Sequence, residues 1–252
     1  MTCIQSLDSL PTVRFAITHT LLLLAPILLL SANSYFVVHS VGNGASYNSP
    51  ENGVSVVKAG SFLPMNQNIF VRPRSGIETI VKDAWCRFGA DTSFMSTGEN
   101  LDLHNGTVLI NSKKSSGKFE VSGPGSRLVL MGAGCLLINV EPNGGFKTVG
   151  LFGSPRLGID GGKEATLLPG NVLFIMPGGR GFGKKVDVVL SKLIESTFLI
   201  SGFPNDKEFV DQLSNASSTQ EKSLLRTYRA SVGSAKGTDS FEIIKEPLDF
   251  ED

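Results

Sequence analysis

Through the middle of the chain, apolar residues come in short runs, each stopped by Gly, Asn or Pro. The clearest runs are 106–110, 118–121, 127–131, 135–140, 146–149, 156–159, 164–168 and 172–175. Turn chemistry separates them: Ser122-Gly123-Pro124-Gly125, Glu141-Pro142-Asn143-Gly144-Gly145, Asp160-Gly161-Gly162 and Pro169-Gly170. Runs of about four to six residues recurring roughly every ten predict an all-β fold, a short-strand sandwich or a solenoid-like domain. No long stretch of helical period lies between them, so a βαβ sheet is not expected.

The pattern changes at both ends. Residues 35–76 mix small apolar patches with Ser, Asn, Gly and Pro and read as a linker or lead-in, with one strand near 55–59. Residues 186–200 fit strand or helix equally: Leu190, Leu193 and Ile194 share a helical face, whereas 197–200 looks extended. Two short helices follow. Asn205 stands three before Glu208, with Phe209, Val210 and Leu213 on one stripe; Ser218 stands three before Glu221, with Leu224, Leu225 and Tyr228 on the next. Both starts have the capping-box form and predict a small helical hairpin over 204–230. Residues 231–252 turn polar and acidic, as a frayed tail does.

Residues 15–30 form the one long apolar run, with Arg14 before it and Ala32-Asn33-Ser34 after it. A positive flank, a short apolar stretch and small residues read as a secretory signal over 1–34. The alternatives are a buried core helix and an uncleaved anchor, which needs about 20 mostly apolar residues; Thr18, His19, Thr20 and Pro26 interrupt this one. With a signal or an anchor the remainder is expected outside the cytoplasm, in the periplasm, at the cell surface or secreted. Cytosolic nucleotides are then not its ligands.

Composition narrows the function. Formal net charge is zero across 252 residues, so no basic excess draws in nucleic acid. Glycine is abundant at 28 residues, as many tight turns require. Cys86 and Cys135 follow the leader, and in an oxidising compartment two thiols either pair or stay buried. Only His39 and His104 remain after it, neither at ligand spacing with other donors, so no metal site and no His-dependent triad is expected. His104 precedes Asn105-Gly106, a turn signal.

Several motifs have bland readings. Residues 178–184 match the first positions of a phosphate-cradling loop, but Lys185 stands where a hydroxyl should hold magnesium, leaving a basic turn. Ser115 and Lys118 have the Ser-x-x-Lys spacing, without the companion motifs of serine acyl-transferases. Residues 169–178 look like a half-motif of metal-binding jelly rolls, yet no histidine follows His104; a turn feeding a buried strand is the reading kept. Asn105-Gly-Thr107 and Asn215-Ala-Ser217 are glycosylation triplets with adequate turn explanations.

Taken together, residues 103–175 resemble the FecR-like domain of exported bacterial proteins. The resemblance is carried by Gly106 before a small apolar strand, by Phe119-Glu-Val121 with the turn at 123–125, and by Gly132 and Gly134 before the next strand. Residues 146–153 and the strand closing at Pro169-Gly170 continue it, while Cys135 stands where the family has Thr. Family members that regulate iron uptake are single-pass proteins with a cytoplasmic sigma-factor-binding part. The residues given before the apolar run are too few for that part, so the sigma-regulating role is not expected to carry over.

What the resemblance implies is an exported, non-enzymatic β domain over 77–203. It would act as a binding, signalling or cell-envelope module whose partner is an envelope protein or a glycan. It transfers no catalytic, cofactor or metal residues. The loops at 113–118 and 178–185, and the sheet edges, are the candidate contact surfaces. The alternative is an exported jelly-roll or sandwich hydrolase acting on glycans, which needs two carboxylates about 5 to 9.5 Å apart in a cleft. Asp102, Glu120, Glu141, Asp160 and Glu164 are the candidates.

Overall fold

The computed structural model describes residues 34–51, 53–113, 117–227, 229–231 and 244–246. The leader, most of the tail and Ser115 lie outside them.

The strands fall into two large sheets, and the chain passes back and forth between them. β1 (Phe36–Val41) belongs to the first; β2 (Ala45–Ser49), β3 (Gly53–Val56) and β4 (Asn68–Val71) belong to the second. β5 (Gly76–Val81) and β6 (Ala84–Phe88) return to the first, β7 (Ser93–Thr97) and β8 (Asn100–Asn105) go to the second, and β9 (Thr107–Ser112) returns. β10 (Lys118–Ser122) and β11 (Arg127–Met131) enter the second, β12 (Gly134–Val140) and β13 (Phe146–Gly153) the first, β14 (Arg156–Ile159) and β15 (Glu164–Thr166) the second. β16 (Asn171–Met176), β17 (Gly181–Phe182) and β18 (Val186–Asp187) close the first. A small hairpin of β19 (Arg229–Ser231) and β20 (Ile244–Glu246) forms a separate pair.

Spatial order follows chain order along most of each nine-stranded sheet, β1-β5-β6-β9-β12-β13-β16 in one and β7-β8-β10-β11-β14-β15 along the other. The result is a sandwich wound progressively, as a solenoid is. Pairing is antiparallel throughout the two sheets except where Val121 of β10 meets Leu101 of β8. The all-β expectation holds, and the strand at 127–131 has the expected limits.

Alternation explains the layers. Between the sheets lie Cys86, Phe88, Phe94, Val108, Ile110, Leu128, Leu136, Ile138 and Phe146, all buried. The other face of the first sheet is apolar too: Leu109, Cys135, Leu137, Val149, Leu151 and Val172 point away from the second sheet into a separate core. That core is closed by three helices, α1 (Leu190–Ser196), α2 (Phe198–Ser201) and α3 (Lys207–Thr227). We call the first sheet covered and the second open. Strands buried on both faces lose the polar alternation that marks a half-wet strand. Among the described residues, no helix is long and apolar enough to cross a membrane.

Three expectations are corrected. Residues 35–76 are not a linker: β1 pairs with β5 in the covered sheet, and β2 joins β3 to β4 in the open one. Most of the polar residues that suggested a linker are exposed or half-buried, while Tyr35, Val37, Ala45, Ile69 and Val71 are buried. The helical hairpin is one unbroken helix, because no Gly or Pro interrupts 207–227 and Phe209, Leu213, Ala216 and Gln220 keep one face on the sheet. Residues 198–201 are a helical turn rather than extended.

The question of a disulfide is settled by alternation. Cys86 packs between the sheets and Cys135 packs under the helices, on opposite faces of the covered sheet, and both are free thiols. Burial pushes both thiols well above their usual pKa, which makes them inert packing groups.

Candidate functional site

The site begins with a hairpin. β5 and β6 are joined by the two residues Lys82-Asp83, and that turn places Glu78 directly opposite Arg87. Both side chains point to the helix side of the covered sheet, where Arg87 is fully buried and Glu78 nearly so. A buried guanidinium is tolerated only with its donors used and its charge met. Arg87 Nε donates to Glu78 Oε1 at 3.0 Å. One terminal nitrogen donates to the Leu199 carbonyl and to Asn205 Oδ1, each at 2.9 Å, and the other to the Pro204 carbonyl at 2.8 Å. The ring of Trp85 lies 4.0 Å below the guanidinium carbon, a desolvated cation–π contact. Desolvation pulls the guanidinium's pKa down and Glu78 raises it again. The remaining oxygen of Glu78 bonds to His39 Nδ1 on β1, and the His39 ring is partly open to solvent.

Arg87 therefore ties α2 and the 202–206 turn to the sheet. The same bond explains how α3 starts. The spacing predicts Asn205 as the cap, but its amide is held between Arg87 and the Ile200 carbonyl; Asp206 caps instead, accepting from Phe209 N at 2.7 Å. The other end of the helix has its own clamp. Gln220 donates to the Val188 carbonyl at 2.5 Å and accepts from Leu190 N at 2.9 Å. A Cβ on Gly170, which has φ +77°, would collide with that amide, so this turn requires glycine.

Held at both ends, α3 stands over the strand ends of the covered sheet and walls a groove of about 1290 Å³. Trp85, Phe152 and Leu168 give it an apolar floor, Phe209 an apolar wall, and Gln212 and Asn215 a row of amides. The ring of Phe209 meets Trp85 edge-on at 5.0 Å and Phe152 at 5.6 Å. Asn171, buried and bonded to Asp187 at 2.6 Å, lies at the far end.

The residues singled out from sequence sit elsewhere. Asp102 pairs with His104 at 3.1 Å on β8; Glu120 takes two bonds of 2.7 Å from Arg127; Glu164 pairs with Arg156 at 3.1 Å. These lie on the wet face of the open sheet or its rim, Asp160 lies 3.8 Å from Arg127, and Glu141 lies 3.4 Å from Lys147. The carboxylate candidates are engaged in surface ion pairs, Glu120 and Asp160 sharing Arg127, and none lines the groove. Residues 177–179 are a short turn leading into β17 rather than a helix start, so the glycine-rich segment has no helical N-terminus for phosphates. Asn105 bonds the Asp91 carbonyl, and Asn215 lies within α3.

Sequence reasoning missed Arg87 and Glu78. The signal was present: a tight turn at 82–83 forces residues equidistant from it to pair, and Glu78 and Arg87 are such a pair of opposite charge.

No family model matches the chain. Nor does any curated protein. Two crystal structures, each described as a "putative anti-sigma factor" from Parabacteroides distasonis ATCC 8503, share 13% identity with it. Each comparison covers 64% of this chain and 93% of the other, with TM-scores of 0.38 and 0.37. Those values are too low to carry an argument about function.

Proposed function

We propose that the chain is an exported, non-enzymatic β domain, a signalling or cell-envelope module that works by binding, and that its groove takes an extended segment of a partner polypeptide. The observation that carries this reading is the α3-walled groove: large, with an apolar floor and a few amides along one wall. That combination suits alternating side chains and backbone of a peptide. A glycan is a poorer fit, because sugar rings stack on free aromatic faces and the Trp85 ring is already occupied by Arg87. The FecR-like pattern of residues 103–175 supports the exported module, not the groove.

The test is peptide selection by display against the purified protein, followed by calorimetry. Gln212→Trp fills the groove from an exposed position and should abolish binding. Glu120→Arg on the opposite side of the molecule should leave it intact. Binding that survives Gln212→Trp, or titration by soluble glycan fragments instead, overturns the assignment.

A further inference from the structure

At the β1 edge of the groove four apolar side chains lie at the surface: Phe36, Phe62, Met65 and Ile80, between 37% and 50% exposed. Phe36, Phe62 and Ile80 form one patch, and Met65 lies beside Ser34 where the chain enters it. Phe36 stands opposite Ile80 across β1 and β5, and its ring meets Phe62 edge-on at 5.2 Å. Met65 is reached by the Ser34 hydroxyl at 4.0 Å. Backbone bonds hold the two segments together: Leu63 N donates to the Tyr35 carbonyl at 2.8 Å, and Val37 N to the Ser61 carbonyl at 2.9 Å. Contiguous exposed apolar surface of this kind marks an interaction site.

Where the chain enters identifies the occupant. From Phe15 to Ser34 the sequence carries no Asp, Glu, Lys or Arg. Wound as a helix at about 1.5 Å per residue, that stretch would rise about 30 Å, the thickness of a bilayer's hydrocarbon core. Tyr35 and Phe36 follow it without a spacer. A body joined to a bilayer by so short a link has to rest its nearest surface on the headgroups, and the nearest surface is this patch. Lys58, exposed on the turn that leads to Phe62, supplies a cation for anionic lipid.

We propose that the patch of Phe36, Phe62 and Ile80, with Met65 beside it, is a membrane-contact surface, which seats the β body on an anionic bilayer with its groove opening beside the lipid. The inference rests on the exported reading proposed above, in its anchored form. Phe and Leu side chains of interfacial elements enter roughly 5–10 Å below the headgroups, within reach of quenchers on the acyl chain.

The experiment uses the full chain, reconstituted into vesicles of phosphatidylcholine and phosphatidylglycerol with brominated acyl chains. The wild type has one tryptophan, Trp85 in the groove, which is the internal reference. In Phe62→Trp the added emission should be lost in brominated vesicles and retained in unbrominated ones, while Val129→Trp on the open sheet keeps its added emission in both. Vesicle-bound Phe62→Trp protein whose added emission is unquenched overturns the proposal. So does failure of the full chain to associate with vesicles. A shift of the emission added by Phe62→Trp that follows protein concentration without lipid, the sign of a second copy on the patch, overturns it too. Protease digestion of spheroplasts reports independently on which side the β body lies, so loss of the exported reading is told apart from loss of the patch.

Discussion

The outer faces of the two sheets carry the same chemistry in opposite settings. On the covered sheet Arg87 and Glu78 form an ion pair sealed under α2 and α3; on the open sheet Arg127 and Glu120 form one in water. Geometry does not separate them, since the exposed pair is two-pronged with bonds of 2.7 Å. Burial does. An exposed pair contributes little, because water already solvates both ions and side-chain freedom is lost in making the bond. Breaking a buried pair strands a charge in a medium that cannot solvate it. The buried pair is also structural in a second sense: three of the bonds from Arg87 leave the sheet and hold the helix layer, and with it the wall of the groove.

The largest effect is expected where the buried pair is cut. Arg87→Ala leaves Glu78 unpaired beneath the helices and removes their anchor; urea titration should show a loss of about 3–5 kcal/mol. Replacing both partners by apolar residues, Arg87→Met with Glu78→Leu, should recover a large part of that loss. Failure of the double variant to exceed the single one would mean that the bonds to Leu199, Pro204 and Asn205, rather than the stranded carboxylate, dominate.

Next comes the helix that these bonds position. Were Ser218 the cap of a second helix, Thr219 would be its first residue, where proline is well tolerated. In the unbroken α3, Thr219→Pro removes a hydrogen bond and meets the preceding turn, at a cost of roughly 3 kcal/mol. Denaturation of this single variant decides between one helix and a hairpin.

The same two faces explain what could be read in the sequence. β11 was legible to the residue because one side of the strand is wet, so apolar and polar positions alternate: Arg127, Val129 and Met131 outward, Leu128 and Leu130 inward; β14, buried at its last three positions, was legible from the turn at 160–162 that ends it. β5 and β6 were not resolved, since both their faces are buried and alternation fades into a run interrupted by two charges. Only the turn arithmetic around 82–83 reveals those charges as partners. The lead-in failed for the reverse reason: β2 and β3 carry Ser46, Asn48 and Ser55, small polar residues that pairing holds in place. The groove had no sequence signal of its own, because its floor and wall come from β6, β13 and α3, far apart in the chain.

A smaller effect belongs to the clamp at the far end of α3. Gly170→Ala puts a methyl into the Gln220 amide and strains a residue at positive φ, so it should cost about 1–3 kcal/mol. Gln220→Ala removes the obstacle along with its two bonds. If the clamp acts as described, adding Gly170→Ala to Gln220→Ala costs less than adding it to the wild type, a non-additivity that a double-mutant cycle measures.

The smallest effect is on the open face, and its sign follows from Arg127. The bonds from that guanidinium hold the Glu120 carboxyl below its usual value of 4.5. A carboxyl with a lowered folded pKa adds stability above the unfolded value, and that contribution drains away as pH falls through the lower, folded value. The wild type should therefore lose, below about pH 4.5, an increment that Glu120→Gln never had. Arg127 is exposed and Glu120 partly so, and salt should shrink the difference between the two proteins, as screening between ions reached by water requires. Arg87 and Glu78, out of reach of that salt, should hold the helix layer in place as firmly at high ionic strength as at low. A helix layer that loosened with added salt would show that the covered face is wetter than its packing implies.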